Sequence, residues 1–440
     1  MSAPRRVRPP PFRWDFVEES FSEAEFLWGR RQSALESTEY VLSELSRFIE
    51  ERLLGCLDGV MLAGEAAHER LLVPALLGEE PRLASVAAWC LASSGERGLS
   101  LVAAVLEQAE EPSLQALRAG LELVMWPELG ARLEGLRNAA SPRVHAALLE
   151  VFAFQGRGAG ATLNELVRHP DPMLSAAALR AARFDARPAA EIAVGQGLEH
   201  AAAVCQWAAI ETGLVLGLEA VRGLALESWK QPWRPEYHRV WALTAALNPK
   251  QSSLTAALGD EKGLPGAAWA LGFAGTRDAA DHCVALMTEG RVPELALDSF
   301  CNIVGCDPVV ERLAQAPAPP ADSPETLDED DLDADLRLAV EVARWVPDPA
   351  QVTAYWARRR EQFSPELRYQ RGRAVSSPSE LRELLWDLPL GRRHVTALEL
   401  AARTCGVEQF NPRAWCREQR ARLTQLTQAT PETAPLPEPV

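Results

Sequence analysis

The chain has 440 residues, enough for two or three globular domains or one long array at about 100–200 residues per domain. Hydrophobic residues make up 47% and charged residues 24%, a balance that excludes global disorder. The net charge of -16 repels polyphosphate and disfavours a general nucleic-acid binder. No run of about 18 apolar residues marks a membrane-spanning helix.

Residues 1–13 are proline-rich and carry Arg5, Arg6, Arg8 and Arg13 without an acid, the pattern of a disordered tail. They also lack the apolar core of a signal peptide. The eight cysteines are thinly spread, unlike a disulfide framework. Both features point to a cytoplasmic protein. Residues 14–80 read as an N-terminal cap of two or three longer helices, one holding Phe26-Leu27-Trp28 and another running from Tyr40 to Leu57. Atypical ends are expected where an array must close its core.

A repeat occupies residues 81–315. Pro81, Pro112, Pro142 and Pro172 fall 31, 30 and 30 residues apart; Pro235, Pro265 and Pro293 resume the series at 30 and 28. The interval between the two runs holds one more unit, around Ala201–Ile210. Proline suits the first turn of a helix, where its missing N–H costs nothing. Two residues after the first four prolines stand Leu83, Leu114, Val144 and Leu174. Five after stand Val86, Leu117, Ala147 and Ala177, and nine after stand Cys90, Leu121, Val151 and Ala181. These offsets share one helical face. A second helix fits each unit, as in Gly98–Leu106, Glu128–Leu136 and Ala161–Val167. A pair this short buries its apolar stripe only by stacking on neighbours. The predicted fold is all-α: a HEAT-type α-solenoid with a helical N-terminal cap and a helical C-terminal lobe. Strand signals are nearly absent.

Residues 316–335 hold four prolines and eight acids without a base, an acidic linker. Residues 336–426 form an Arg/Trp-rich helical lobe; within it, residues 351–425 carry fourteen arginines against eight acids. Residues 427–440 read as a second disordered tail. Arginine and tryptophan are typical interface anchors. The candidate partner-binding residues are therefore Trp28, Trp356, Arg368, Tyr369, Arg392 and Arg393. The competing reading is a helical cap whose arginines face water and whose tryptophans pack inside; another is a lobe that docks on the chain's own acidic linker.

No motif carries a reaction. Gly156-Arg157-Gly158-Ala159-Gly160 lies between two helices and reads as a turn, not a phosphate cradle. Cys301-x4-Cys306 matches no zinc module. Trp229, Trp233, Trp241 and Trp269 cluster with Arg234 and Arg239, a pattern shared with helical-repeat enzymes that excise damaged bases, but the surrounding charge is not strongly basic. No catalytic residue, cofactor or metal is expected.

Both ends resemble an uncharacterised proteobacterial HEAT-like family of about 400 residues. The likeness rests on Phe26-Leu27-Trp28-Gly29-Arg30-Arg31, Tyr40, Glu51-Arg52-Leu53 and Leu57-Asp58-Gly59-Val60. Toward the C-terminus it rests on Glu329-Asp330-Asp331-Leu332, Tyr355-Trp356, Arg368-Tyr369 with Gly372, Gly391-Arg392-Arg393 with Ala397-Leu398-Glu399-Leu400, and Phe410 with Arg413-Ala414. A tandem tryptophan usual in the family reads Tyr355-Trp356 here. The genes of that family are often placed near type VI secretion components, which implies an accessory role such as adaptor or effector handling. The expectation is a non-enzymatic scaffold for a protein partner, a secretion-system or effector protein. The alternatives are an immunity protein for a secreted toxin and, third, a HEAT-like enzyme acting on nucleic acid.

Overall fold

The computed structural model describes residues 13–137, 140–230, 238–249, 252–315 and 345–428. The acidic linker expected over 316–335 and the two tails, Arg13 and residues 427–428 apart, lie outside the described residues. Among the described residues the fold is all-α, in repeat-like layers; the only strands are two antiparallel pairs of two residues each.

Compactness divides the chain into two units: residues 1–32 with 43–155, and residues 33–42 with 156–440. The expected cap, repeat and lobe domains do not coincide with this division. The first unit joins the cap to the opening repeats, and the second joins the remaining repeats to the lobe. A chain of near-identical layers has no sequence mark for where packing is weakest, so composition could not locate this boundary.

The first unit begins with α1 (Trp14–Ala34) and α2 (Glu51–Leu62), the latter continuing from a π-helical turn at Leu45–Glu50. Then come α3 (Pro81–Ser93), α4 (Glu96–Leu106), α5 (Glu111–Glu122), α6 (Leu129–Arg137) and α7 (Pro142–Phe154). The proline-led helices α3, α5 and α7 pack on one another in a row, and α4 and α6 stand behind them.

The second unit continues with α8 (Leu163–Val167), α9 (Pro172–Ala181), α10 (Arg187–Leu198), α11 (Ala203–Val215) and α12 (Glu219–Glu227). It goes on through α13 (His238–Leu247), α14 (Ser252–Ala257), α15 (Leu264–Ala274), α16 (Arg277–Thr288) and α17 (Pro293–Val304). Here the row is α9, α11, α13, α15 and α17. Pro81, Pro142, Pro172 and Pro293 open row helices, and Pro112 and Pro265 stand second in theirs; α11 has no such proline, and Trp233, Arg234 and Pro235 lie outside the described residues.

Alanine and glycine let the row helices approach closely, and short polar side chains then bridge one layer to the next. Ser85 Oγ donates to Ala116 O at 2.9 Å and Trp89 Nε1 to Leu123 O at 3.1 Å in the first unit. In the second, Thr212 Oγ1 donates to Leu179 O, Ser299 Oγ to Ala268 O and Asn302 Nδ2 to Gly272 O, at 2.8–2.9 Å. Donor and acceptor sit about one repeat apart in sequence. Each such buried bond contributes about 1 kcal/mol net, and losing one partner costs more. The glycine-rich stretch near Gly156 is a turn: Ala159 N and Gly160 N donate to the Asp185 carboxylate at 2.9 and 2.8 Å.

After residue 345 the chain forms α18 (Pro349–Arg359), α19 (Pro378–Asp387), α20 (Leu390–Arg403) and α21 (Cys416–Gln428). Asp348 caps α18, accepting from Ala350 N and Gln351 N. Ser377 and Glu380 form a reciprocal capping box on α19. The lobe does not stand apart from the repeats. Helix α20 packs against α11 and α13, and α18 packs against α16.

Candidate functional site: the arginine-tied carboxy-terminal lobe

An α-helix ends with four carbonyls that have no partner within the helix, and these carry its partial negative charge. Along the second unit's row, such ends point at the lobe. Gln409 Nε2 donates to Arg183 O just beyond α9 at 2.8 Å. Arg403 Nη2 donates to Ala246 O at the end of α13 at 3.1 Å. At the end of α15, Arg368 Nε donates to Phe273 O at 2.8 Å and Tyr369 N to Gly275 O at 2.7 Å. At the end of α17, Arg371 N and Gly372 N donate to Asn302 O and Ile303 O at 2.5 and 3.0 Å. The lobe runs along the C-terminal ends of successive layers and satisfies them.

Gly275 shows how closely the two meet. It ends α15 with φ +65°, and a Cβ there would lie 2.3 Å from Tyr369 O. Only glycine supplies both the left-handed backbone and the space.

Several other arginine donors of the lobe go to acids. Arg368 grips Glu399 with two bonds of 2.7 and 2.8 Å, and both side chains are buried. Glu399 also accepts from Arg403 at 2.7 Å. Burial pushes the Arg368 pKa down, and the Glu399 charge opposes that shift. Arg392, 1% exposed, reaches Asp298, Ser299 Oγ and Trp269 O, while Phe273 faces its guanidinium at 4.9 Å. Arg393 is fully buried; it donates to Leu385 O at 2.8 Å and to Gln419 Oε1, and burial pushes its pKa down to about 10. Arg382 pairs with Glu408 within the lobe. On α16, Asp281 accepts from Trp356 Nε1 at 2.6 Å and from Arg360 at 2.8–3.3 Å. Partial burial would raise the Asp281 pKa, but these bonds hold it below the usual carboxylate value.

The six expected partner-binding residues are all interior: Trp28, Trp356, Arg368, Tyr369, Arg392 and Arg393 are each no more than 8% exposed. The expectation of an open recognition surface is corrected by this burial. Trp28 belongs to α1 in the first unit. Trp356 packs edge-on against Phe300 with centroids 5.6 Å apart. Tyr369 accepts through its hydroxyl from Ser364 N at 2.9 Å. Five of the six lie in the lobe: Trp356, Arg368, Tyr369 and Arg392 tie it to its own repeats, and Arg393 braces it internally. The arginine surplus is spent on helix ends, which sequence composition counts as neutral.

The acids that complete the ties were missed. One signal existed: Glu399 stands between Leu398 and Leu400, where a carboxylate is costly unless paired, with Arg403 one helical turn on. The thiols of Cys301 and Cys306 face each other at 3.6 Å. No group of three or more His, Cys, Asp or Glu side chains with metal-binding geometry occurs among the described residues. No described helix is long and apolar enough to cross a membrane. Compared with known proteins, the chain matches no family model and no curated protein.

Proposed function

We propose that this chain is a non-enzymatic scaffold or adaptor, acting in the cytoplasm on a protein partner. The observation that carries the reading is the contrast between the helix row of the second unit and that of the first, each taken by itself. In the second unit the row's ends are covered by the lobe. In the first unit the turns after α3 and α5 leave Ser94, Glu96, Met125 and Glu128 exposed. Those helix ends carry the same partial negative charge. A protein offering arginine side chains and backbone N–H groups beside an apolar contact fits them, in the manner of the lobe. Such edges bind along a track of repeats.

The resemblance to a HEAT-type family encoded near type VI secretion components supports a secretion or effector protein as that partner. The test is co-expression with the products of the neighbouring genes, followed by gel filtration. A stoichiometric complex that Met125→Glu weakens about tenfold, a loss of ~1.4 kcal/mol, supports the reading. No complex with any of those products, or one indifferent to substitutions at Ser94 and Met125, refutes it.

A further inference from the structure

The second unit contains a pocket between α13, α15 and α20, lined by His238, Arg239, Trp269, His394 and Arg413, with Glu36 as its one carboxylate. Of these residues, only Trp269 takes part in the ties described above, through its carbonyl. The pocket's chemistry is unusual in three respects.

First, both ring nitrogens of His394 are buried and lack a hydrogen-bond partner among the described residues. A buried imidazole with nothing to bond is costly, and each such group in a native fold calls for an explanation. Second, one wall is a flat stack: His238 lies on Trp269 with centroids 3.7 Å apart and planes 19° from parallel. The Arg392 guanidinium lies 5.4 Å from the Trp269 ring centroid. Third, the rim is cationic. Arg239 and Arg413 are exposed, and Arg239 forms no ion pair or hydrogen bond with any described residue.

We propose that this pocket binds a small molecule through an oxyanion, a phosphate or carboxylate group, held by Arg239 and Arg413 and bonded to His394. A guanidinium offers paired donors that match either group. The imidazole adds one donor and one acceptor, which suits a group that is itself part protonated. The flat wall accommodates an apolar or aromatic remainder. This goes beyond the adaptor reading: the site is in the second unit and its failure would leave the partner surface of the first untouched.

The pocket's electrostatics make binding proton-linked. Burial and the charges of Arg239, Arg183 and Arg413 hold His394 well below its usual pKa, and burial with Arg392 and Arg239 holds His238 at about 4. Both rings are neutral at pH 7. A bound anion favours the imidazolium form, as the carboxylate of Glu36 also does, while Glu36 repels the anion itself. Binding therefore takes up protons and tightens as the pH falls.

The experiment is calorimetric titration of the full chain with inorganic phosphate and, separately, acetate, against chloride at matched ionic strength. Saturable heat with phosphate, acetate or both, absent with chloride, supports the site and identifies the group it prefers. Arg239→Gln, at an exposed position, should leave the melting temperature unchanged and weaken binding about tenfold. His394→Phe should abolish the proton uptake seen between two buffers of different ionisation heat. Absence of saturable binding by both anions, or Arg239→Gln binding like the wild type, overturns the proposal.

Discussion

Replacing Arg368 with methionine tests the ties in the most quantitative way. The change removes two bonds to Glu399 and one to Phe273 O, and leaves Glu399 with no exposure to solvent. Breaking a buried ion pair from one side costs about 3–5 kcal/mol. Arg403 still donates to Glu399 at 2.7 Å, so the loss should fall at the low end, about 3 kcal/mol. For a cooperative unit of this size that lowers the melting temperature by roughly 5 °C. Urea unfolding followed by circular dichroism gives the free energy directly. Arg368→Met/Glu399→Leu should be more stable than Arg368→Met alone, because the orphaned charge is gone while Arg403 keeps access to water. A shift below about 1 °C for the single variant, or a double variant weaker than the single, would refute the reasoning that this pair is buried and mutual.

Gly275→Ala should destabilise the second unit by about 2 kcal/mol or more, since the position combines a positive φ with contact against Tyr369; a neutral melting curve would contradict the docking. Arg392→Glu/Arg393→Glu should release the lobe, seen as new protease cleavage within residues 345–428, without selective loss of a partner bound by the first unit. His238 is held at about 4 against an ordinary 6.5. Its folded pKa is depressed, so its contribution to stability is complete above pH 6.5 and lost as pH falls toward 4. It amounts to at most about 3 kcal/mol. His238→Phe should flatten that part of the stability profile, and an unchanged slope would count against it.

The fold was legible because its cause is local. A proline at the first turn and apolar residues at offsets of 2, 5 and 9 specify a helix and its buried face without tertiary knowledge, and α3, α7, α9 and α17 each begin at the expected proline. Helix α11 was readable from its apolar run alone. The layer-bridging Ser85, Thr212 and Ser299 were also within reach, since each bonds a carbonyl about one repeat away. The lobe was not legible in the same way. Its arginines were counted against side-chain acids, whereas Arg368, Arg392, Arg393 and Arg403 all bond backbone carbonyls as well. Leu385 O lies within the lobe, and the other three acceptors come into reach only once the row is assembled. The tryptophan cluster around Trp269 drew notice for its aromatic content, but His394, more than 150 residues from Arg239 in sequence, could be placed beside it only by the docking of α20.

Amide hydrogen exchange at Tyr369, Arg371 and Gly372 tests the docked lobe most directly. These three amides donate to Gly275, Asn302 and Ile303 across the seam between the lobe and the repeats, and none lies in a helix. Their protection therefore depends on docking alone. They should exchange as slowly as the core amides of α15 and α17. Exchange at the rate of exposed loops, while α15 and α17 stay protected, would show that the lobe is not fastened to the row.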